Sequence, residues 1–200
     1  MPGTVGTKAP DVKFHLHDGS TVKLSDFEKH QSVVLFFYPK DNTPVCTSEA
    51  CSFRDAYPDF ESLNAVVIGI SSDTQESHKG FAEKYTLPYL LASDPDGDLR
   101  KAFGVPRTLG ILPGRTTYVI DQNGTIRLAF SSQFSAAKHV EKAKEPGRRK
   151  KVIDLLLEPA SSLKCIPEET RLETRSRRAR GWYQSGKGSR VGHRGNLVLA

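Results

Sequence analysis

Short apolar runs separated by polar and turn residues mark the predicted strands of this chain. Three runs predict strands buried on both faces, as in the middle of a parallel sheet: 33–38, 65–71 and 89–92. Two further stretches alternate polar and apolar side chains about a turn, which predicts β-hairpins at 9–24 and 116–130. Because helical segments separate these strands, and a hairpin closes the sheet, the pattern indicates an α/β layered domain.

Helices are predicted between the strands, where the apolar pattern changes. They cover 43–58, 74–85, 99–103 and a segment that begins at about 135. Pro58 is expected to bend or end the first of them. On the later helices we expect His78 and His139 to face solvent, and Ala137 and Val140 to face the core.

The segment between the first buried strand and the first helix carries the candidate chemistry. Thr43 suits the N-cap and Pro44 the first helical position, so Cys46 falls at the third. We expect the Thr43 hydroxyl to accept the backbone N–H of Cys46. The sulfur would then lie in the first turn, where free amides and the helix dipole favour an anion. Such a cysteine ionises more readily than a free one, and its thiolate is the nucleophile.

A second cysteine, Cys51, lies five residues further along the same predicted helix. On an ideal helix the Cα atoms of Cys46 and Cys51 are ~8–9 Å apart. A disulfide tolerates at most roughly 7 Å between Cα atoms. Either the two cysteines never pair, with Cys51 a core cysteine, or the first turn unwinds when they do.

The spacing Pro39-x-x-x-Thr43-x-x-Cys46 resembles the active-site pattern of the peroxiredoxins, which are thiol peroxidases of thioredoxin-like fold. Cys51 is similar to the resolving cysteine of the peroxiredoxin Q branch, also called bacterioferritin comigratory protein. The resemblance extends from about residue 5 to about residue 142. It implies a central mixed β-sheet flanked by helices, with an N-terminal β-hairpin.

The resemblance also implies a role for each residue of the pattern. Cys46 would attack hydrogen peroxide or an alkyl hydroperoxide and become a sulfenic acid. Cys51 would condense with it to an intramolecular disulfide, which thioredoxin or a similar dithiol would reduce. Thr43 would turn its hydroxyl toward the sulfur or the peroxide, and Pro39 would shield the thiolate.

A fixed cation is expected to complete the site. Arg115 comes just before the strand 116–121 and matches the arginine that peroxiredoxins bring from far along the chain, whereas Arg54 and Arg107 have no such match. Glu49, one turn beyond Cys46, either orients this arginine or faces solvent.

We also expect a monomer that needs no cofactor. Neither the histidines nor the cysteines form a pattern typical of a metal site. Two other function classes stay open. One is a redox-inactive thioredoxin-like binding module whose basic tail binds nucleic acid, and the other is a thiol–disulfide oxidoreductase that acts on proteins.

Charge is distributed unevenly along the 200 residues. The formal net charge is +6, yet residues 146–200 alone carry 13 Lys or Arg and 5 Asp or Glu. We therefore predict a domain over 1–145, a helix break at Glu145-Pro146-Gly147, and a disordered basic extension over 146–200. This extension either contacts nucleic acid or is a solvated appendage. Residues 152–158 could form one more helical segment that packs back on the domain. Cys165 is expected to be a free thiol there.

Three cysteines are too few for a disulfide scaffold and suit a reducing compartment. The N-terminus lacks the layout of a secretory signal and the arginine-rich character of a transit peptide. No apolar run approaches the roughly 18 residues of a membrane span. The sequence therefore predicts a cytoplasmic protein without a membrane segment.

Overall fold

The computed structural model describes residues 3–107, 113–133 and 135–157, which form one mixed sheet of seven strands with helices on both faces. The strands are β1 (Lys13–Leu16), β2 (Thr21–Lys23), β3 (Ser32–Phe37), β4 (Ala65–Ser71), β5 (Leu90–Ser93), β6 (Thr116–Ile120) and β7 (Ile126–Ser131). The helices are α1 (Pro44–Asp55), α2 (Tyr57–Ser62), α3 (Gln75–Tyr85), α4 (Asp98–Phe103) and α5 (Ala136–Leu157).

The sheet has the order β2-β1-β5-β4-β3-β6-β7. β3, β4 and β5 run parallel to one another, whereas both predicted hairpins, β1–β2 and β6–β7, pair antiparallel. The three buried strands and the two hairpins predicted from the sequence are thus confirmed. β3 lies between β4 and β6. Residues at the ends of both neighbouring strands therefore lie close to the carboxyl end of β3.

Alternate residues of β3 build the two halves of the core. Val33, Leu35 and Phe37 belong to the half covered by α4, while Val34 and Phe36 belong to the half covered by the other four helices. On this second face Phe36 stacks on Phe53 of α1, with ring centroids 4.3 Å apart. Burial of one such aromatic side chain contributes about 1.5–3 kcal/mol. The apolar run in β3 therefore fixes α1 against the sheet.

The first predicted helix is two helices in the structure. α1 ends at Asp55, and α2 begins at Tyr57 with Pro58 in its first turn. A proline is tolerated there because first-turn N–H groups have no partner within the helix. The expectation that Pro58 bends or ends the helix is confirmed.

The predicted helix break at Pro146 is wrong, because α5 runs without interruption from Ala136 to Leu157. An interior proline removes a backbone hydrogen bond and costs about 3 kcal/mol. Contacts on both sides of it hold α5 against α2 and the residue that follows α2. Lys144 Nζ donates to Asp59 of α2 at 2.9 Å, and Gly147 lies so close to Leu63 that a Cβ there would be 3.1 Å from its side chain. Residues 158–200, with Cys165, lie outside the described residues, and the domain boundary at 145/146 stays a prediction.

The faces of two helices also differ from the prediction. His78 of α3 and His139 of α5 are buried rather than solvent-facing, and Ala137 is exposed while Val140 is buried as expected. Both histidines have hydrogen-bond partners in the interior, which is what makes a buried polar ring tolerable.

Deletion of 146–200 is expected to lower the free energy of unfolding more than deletion of 158–200. The longer deletion also removes the Gly147–Leu63 contact and the bond from Lys150 Nζ to Gln122 of the β6–β7 turn. We expect a difference of roughly 1–2 kcal/mol, which urea unfolding of the two truncated proteins measures. Equal unfolding midpoints and slopes would show that the second half of α5 does not stabilise the domain.

Candidate active site

Cys46 lies where the sequence predicts it, in the third position of α1, with Thr43 at the N-cap and Pro44 at the first position. The expected capping bond is absent, however. The Thr43 hydroxyl instead donates to the carbonyl of Lys40 at 3.1 Å and closes the turn that precedes the helix. The side chain of Thr43 therefore leaves the first-turn amides of α1 unoccupied. Pro39 is half-buried just after β3.

A buried arginine contacts the sulfur of Cys46. Only 2% of Cys46 and 3% of Arg115 are exposed, and Arg115 Nη2 lies 3.2 Å from Sγ. The two residues meet because β6 pairs antiparallel with β3, with Thr116 opposite Phe37. Arg115, one residue before Thr116, thus lies beside the end of β3, from which the loop leads to α1. Arg54 is directed elsewhere, to Asp55 and the carbonyl of Tyr85.

Glu49 is the second partner of this arginine. Arg115 Nη1 donates to Glu49 Oε2, and the glutamate is completely buried, so it does not face solvent. Burial raises the pKa of Glu49 to about 7, although the charge of Arg115 acts in the opposite direction. Burial of the carboxyl therefore outweighs the stabilising effect of its cation.

The sequence reasoning missed His139, which packs on the far side of Glu49. Its Nδ1 lies 2.8 Å from Thr117 Oγ1 and 3.7 Å from Glu49 Oε1, and its Nε2 donates to the carbonyl of Ser132 at 2.8 Å. Burial is the main cause that lowers the pKa of His139. Helical periodicity could not reveal this contact, because a histidine on a mostly polar helix is predicted to face water.

Arg100 of α4 was also missed. Its guanidinium donates to the carbonyl of Tyr38 through Nη2 and to the carbonyl of Gly114 through Nη1, the latter at 2.9 Å. It therefore connects the chain just before Pro39 to the chain just before Arg115. Burial lowers the pKa of Arg100, while the Asp94 carboxylate opposes this shift.

A separate buried network holds the loop that leads into α1. Tyr38 OH donates to Asp41 Oδ1 at 2.7 Å, and Asp41 Oδ2 lies 2.9 Å from His78 Nδ1 of α3. The backbone N–H of Asp41 donates to Asp73 Oδ2 at 2.8 Å. Burial, followed by the Asp41 charge, raises the pKa of Tyr38 well above its usual value. The loop is thereby attached to α3 and to the end of β4.

The other cysteine of α1, Cys51, is half-buried, and both thiols are free. Because both residues lie within one unbroken helix, their Cα atoms are ~8–9 Å apart. The helix is anchored near Cys51 by Tyr89 OH, which donates to the carbonyl of Ala50 at 2.8 Å.

Comparison with known proteins agrees with this geometry. Residues 5–129 match the AhpC/TSA family. Over 137 residues the chain is 49% identical to the chloroplastic peroxiredoxin Q of Gentiana triflora, a match that covers 68% of this chain and 63% of the relative. This chain belongs to the AhpC/TSA family, in its peroxiredoxin Q branch.

Other members of the family extend the comparison. The chloroplastic peroxiredoxin Q of Sedum lineare is 48% identical over 139 residues, which is 69% of this chain and 74% of that protein. The crystal structure of peroxidoxin BcpB from Mycobacterium tuberculosis is 38% identical with a TM-score of 0.67, and the match covers 72% of this chain and 96% of that one. The thioredoxin-like fold implied by the resemblance is therefore confirmed. The chain spans only 63% of the length of the Gentiana relative.

The relatives overturn one expectation. The predicted cytoplasmic localisation is wrong, because the peroxiredoxin Q relatives from Gentiana, Sedum and Arabidopsis are all chloroplastic proteins. Within the described ranges, no helix is both long and apolar enough to cross a bilayer. The same ranges contain no group of three or more His, Cys, Asp or Glu placed to hold a metal ion.

The pKa of Glu49 predicts a pH-dependent stability. Between about pH 4.5 and about pH 7 the unfolded chain ionises this carboxyl, whereas the folded protein keeps it protonated, so the folded state binds more protons. This group therefore lowers the free energy of unfolding as the pH rises across that window, by on the order of 3 kcal/mol. Glu49→Gln abolishes the contribution, while Glu141→Gln at an exposed position of α5 keeps it. Urea unfolding of the three proteins at both ends of the window measures it, and parallel pH curves for wild type and Glu49→Gln would contradict the shifted ionisation.

Proposed function

We propose that this chain is a thiol peroxidase that reduces hydrogen peroxide and alkyl hydroperoxides with Cys46 as the attacking residue. The observation that carries the proposal is the placement of the Cys46 sulfur in the first turn of α1, 3.2 Å from the buried guanidinium of Arg115. Free amides and a fixed positive charge both favour the thiolate. The membership of the chain in the peroxiredoxin Q branch supports the same activity.

The proposed reaction starts with attack of the Cys46 thiolate on one peroxide oxygen. The O–O bond breaks, sulfur loses two electrons and becomes a sulfenic acid, and the other oxygen leaves with the electron pair and takes up a proton as water or an alcohol. Arg115 stabilises the thiolate and the negative charge on the departing oxygen. We propose that Thr43 and Pro39, which precede Cys46 in the loop that leads to α1, orient the peroxide and exclude water.

In the second step the Cys51 thiol attacks the sulfenic sulfur, and water leaves as the disulfide forms. A dithiol such as thioredoxin then reduces the disulfide and restores both thiols. We also propose that the protein acts as a monomer in a plastid, the location that the names of its plant relatives give. Burial of Cys46 argues against the alternative of a general protein oxidoreductase, because a sulfur that is 2% exposed admits a small peroxide more readily than a protein disulfide.

Two serine variants separate the roles of the cysteines. Cys46→Ser is expected to abolish consumption of hydrogen peroxide with dithiothreitol as the reductant. Cys51→Ser still reacts once, because its Cys46 environment is intact, but it stalls as a sulfenic acid when thioredoxin is the reductant. Stopped-flow peroxide consumption and mass spectrometry of the products measure these outcomes. An equal loss of the first turnover in both variants would contradict the assigned roles and the proposed function.

Disulfide formation requires α1 to unwind at its start. The separation between the two Cα atoms exceeds the reach of a disulfide by ~1–2 Å, and the side chains point about 140° apart around the axis. The end that carries Cys51 is held by Phe53 in the core and by the Tyr89–Ala50 bond. We therefore propose that the segment 44–49 opens and carries Cys46 toward a stationary Cys51.

Amide hydrogen exchange tests this motion. We expect the disulfide form to lose protection over 47–50 relative to the reduced form, while the amides of α3 keep theirs as an internal control. Mass spectrometry first confirms the bond between the two cysteines. Equal protection of 47–50 in both forms would exclude the unwinding step.

A further inference from the structure

Two acidic groups share the guanidinium of Arg115. Nη2 lies 3.2 Å from the Cys46 sulfur, and Nη1 donates to Glu49 Oε2. All three side chains are buried, so water does not screen their charges. The neighbouring cation, Arg100, directs two of its donors to backbone carbonyls. A thiolate and a carboxylate at this place therefore compete for the same positive charge.

His139 presents an unprotonated ring nitrogen, Nδ1, to this pair. Its Nε2 faces the carbonyl of Ser132 at 2.8 Å, and because a carbonyl only accepts, Nε2 carries the proton. Burial and the charge of Arg115 lower the pKa of His139, whereas the hydrogen bond to Ser132 acts in the opposite direction. Because the pKa is lowered, the ring is neutral. Nδ1 is then an acceptor, and the hydroxyl of Thr117 donates to it at 2.8 Å.

One oxygen of Glu49 lies beside this acceptor. Oε1 is 3.7 Å from His139 Nδ1 and has no hydrogen-bond partner among the described residues. An ionised Oε1 next to a nitrogen lone pair is unfavourable, since neither atom can donate. A protonated Oε1 could donate to Nδ1. The two atoms would have to approach each other by roughly 0.8 Å to reach the usual hydrogen-bond length.

We propose that His139 is a positioning residue that accepts a hydrogen bond from the protonated form of Glu49 and so leaves the charge of Arg115 to the Cys46 thiolate. The site then holds one anion for this cation, and the anion is the nucleophile. The hydroxyl of Thr117 competes for the same lone pair of Nδ1. The inference deepens the proposed peroxidase function and rests on it for its effect on rate.

The charged and titratable groups that face Glu49 come from four separate parts of the chain. Cys46 lies one turn earlier on α1, Arg115 precedes β6, His139 belongs to α5, and Tyr89 precedes β5. As the pH rises through about 7, Glu49 ionises and competes with the sulfur for the charge of Arg115.

The test measures the ultraviolet absorbance of the Cys46 thiolate against pH in the full chain, with Cys51→Ser and Cys165→Ser as the background. His139→Asn replaces the acceptor by an amide that can donate to the carboxylate. We expect it to lower the acid dissociation constant of the thiol about threefold or more, from the loss of about one hydrogen bond. Thr117→Val removes the competing hydroxyl without a change of shape and is expected to shift the constant in the opposite direction.

Glu49→Gln is the decisive control, because its side chain carries no titratable proton. Both shifts are expected to vanish in this background, whereas a merely structural effect of His139→Asn would persist. Persistence of the shift, or shifts of the same sign from His139→Asn and Thr117→Val, would overturn the inference. If His139→Asn does not fold, the sign of the Thr117→Val shift and its loss in Glu49→Gln decide.

The titration needs no peroxide, so its outcome is separable from that of the proposed function. If the wild type turns over peroxide but the variants leave the acid dissociation constant of the thiol unchanged, only the role of His139 is contradicted. A wild type without turnover contradicts the peroxidase, and the titration still reports whether His139 acts on the sulfur through Glu49.

Discussion

The buried guanidinium of Arg115 is the interaction on which the rest of this site depends. A charge taken out of water is costly unless it is paired and hydrogen-bonded, and here the sulfur of Cys46 and the carboxyl group of Glu49 are its partners. Both acids come from one turn of α1, and the cation comes from the other side of β3. The fold therefore has to fix α1 against β3 and β6 in register with β3. The Phe36–Phe53 stack fixes α1, and the β3–β6 hydrogen bonds fix the register.

Much of this arrangement could be predicted from the sequence. The buried strands, both hairpins and the position of Cys46 follow from local patterns, because each depends on residues close together in the chain. The proximity of Arg115 came from the resemblance to a family and not from spacing, since it depends on a strand pairing that joins residues 69 apart. Local patterns predict elements well and pairings between distant elements poorly.

The wrong predictions have a common physical origin. His78, His139 and Pro146 were each judged by their usual preference, and in each case tertiary partners outweigh it. Asp41 offsets the burial of His78, Thr117 and Ser132 offset that of His139, and contacts with α2 offset the missing bond of Pro146. No single-residue rule contains these partners. They are also the residues that attach α3 and α5 to the surroundings of the site.

The Thr43 hydroxyl points away from α1, and this orientation affects what happens to Cys46 after oxidation. Without a side-chain cap, the start of a helix is less stable by about 1 kcal/mol, and its first turn opens several times more often. A sulfenic acid on Cys46 has two competing outcomes. In the proposed reaction it meets Cys51 once the turn opens, or it meets a second peroxide and becomes an irreversible sulfinic acid. In the proposed reaction, a loosely capped helix thus shortens the interval in which overoxidation can occur.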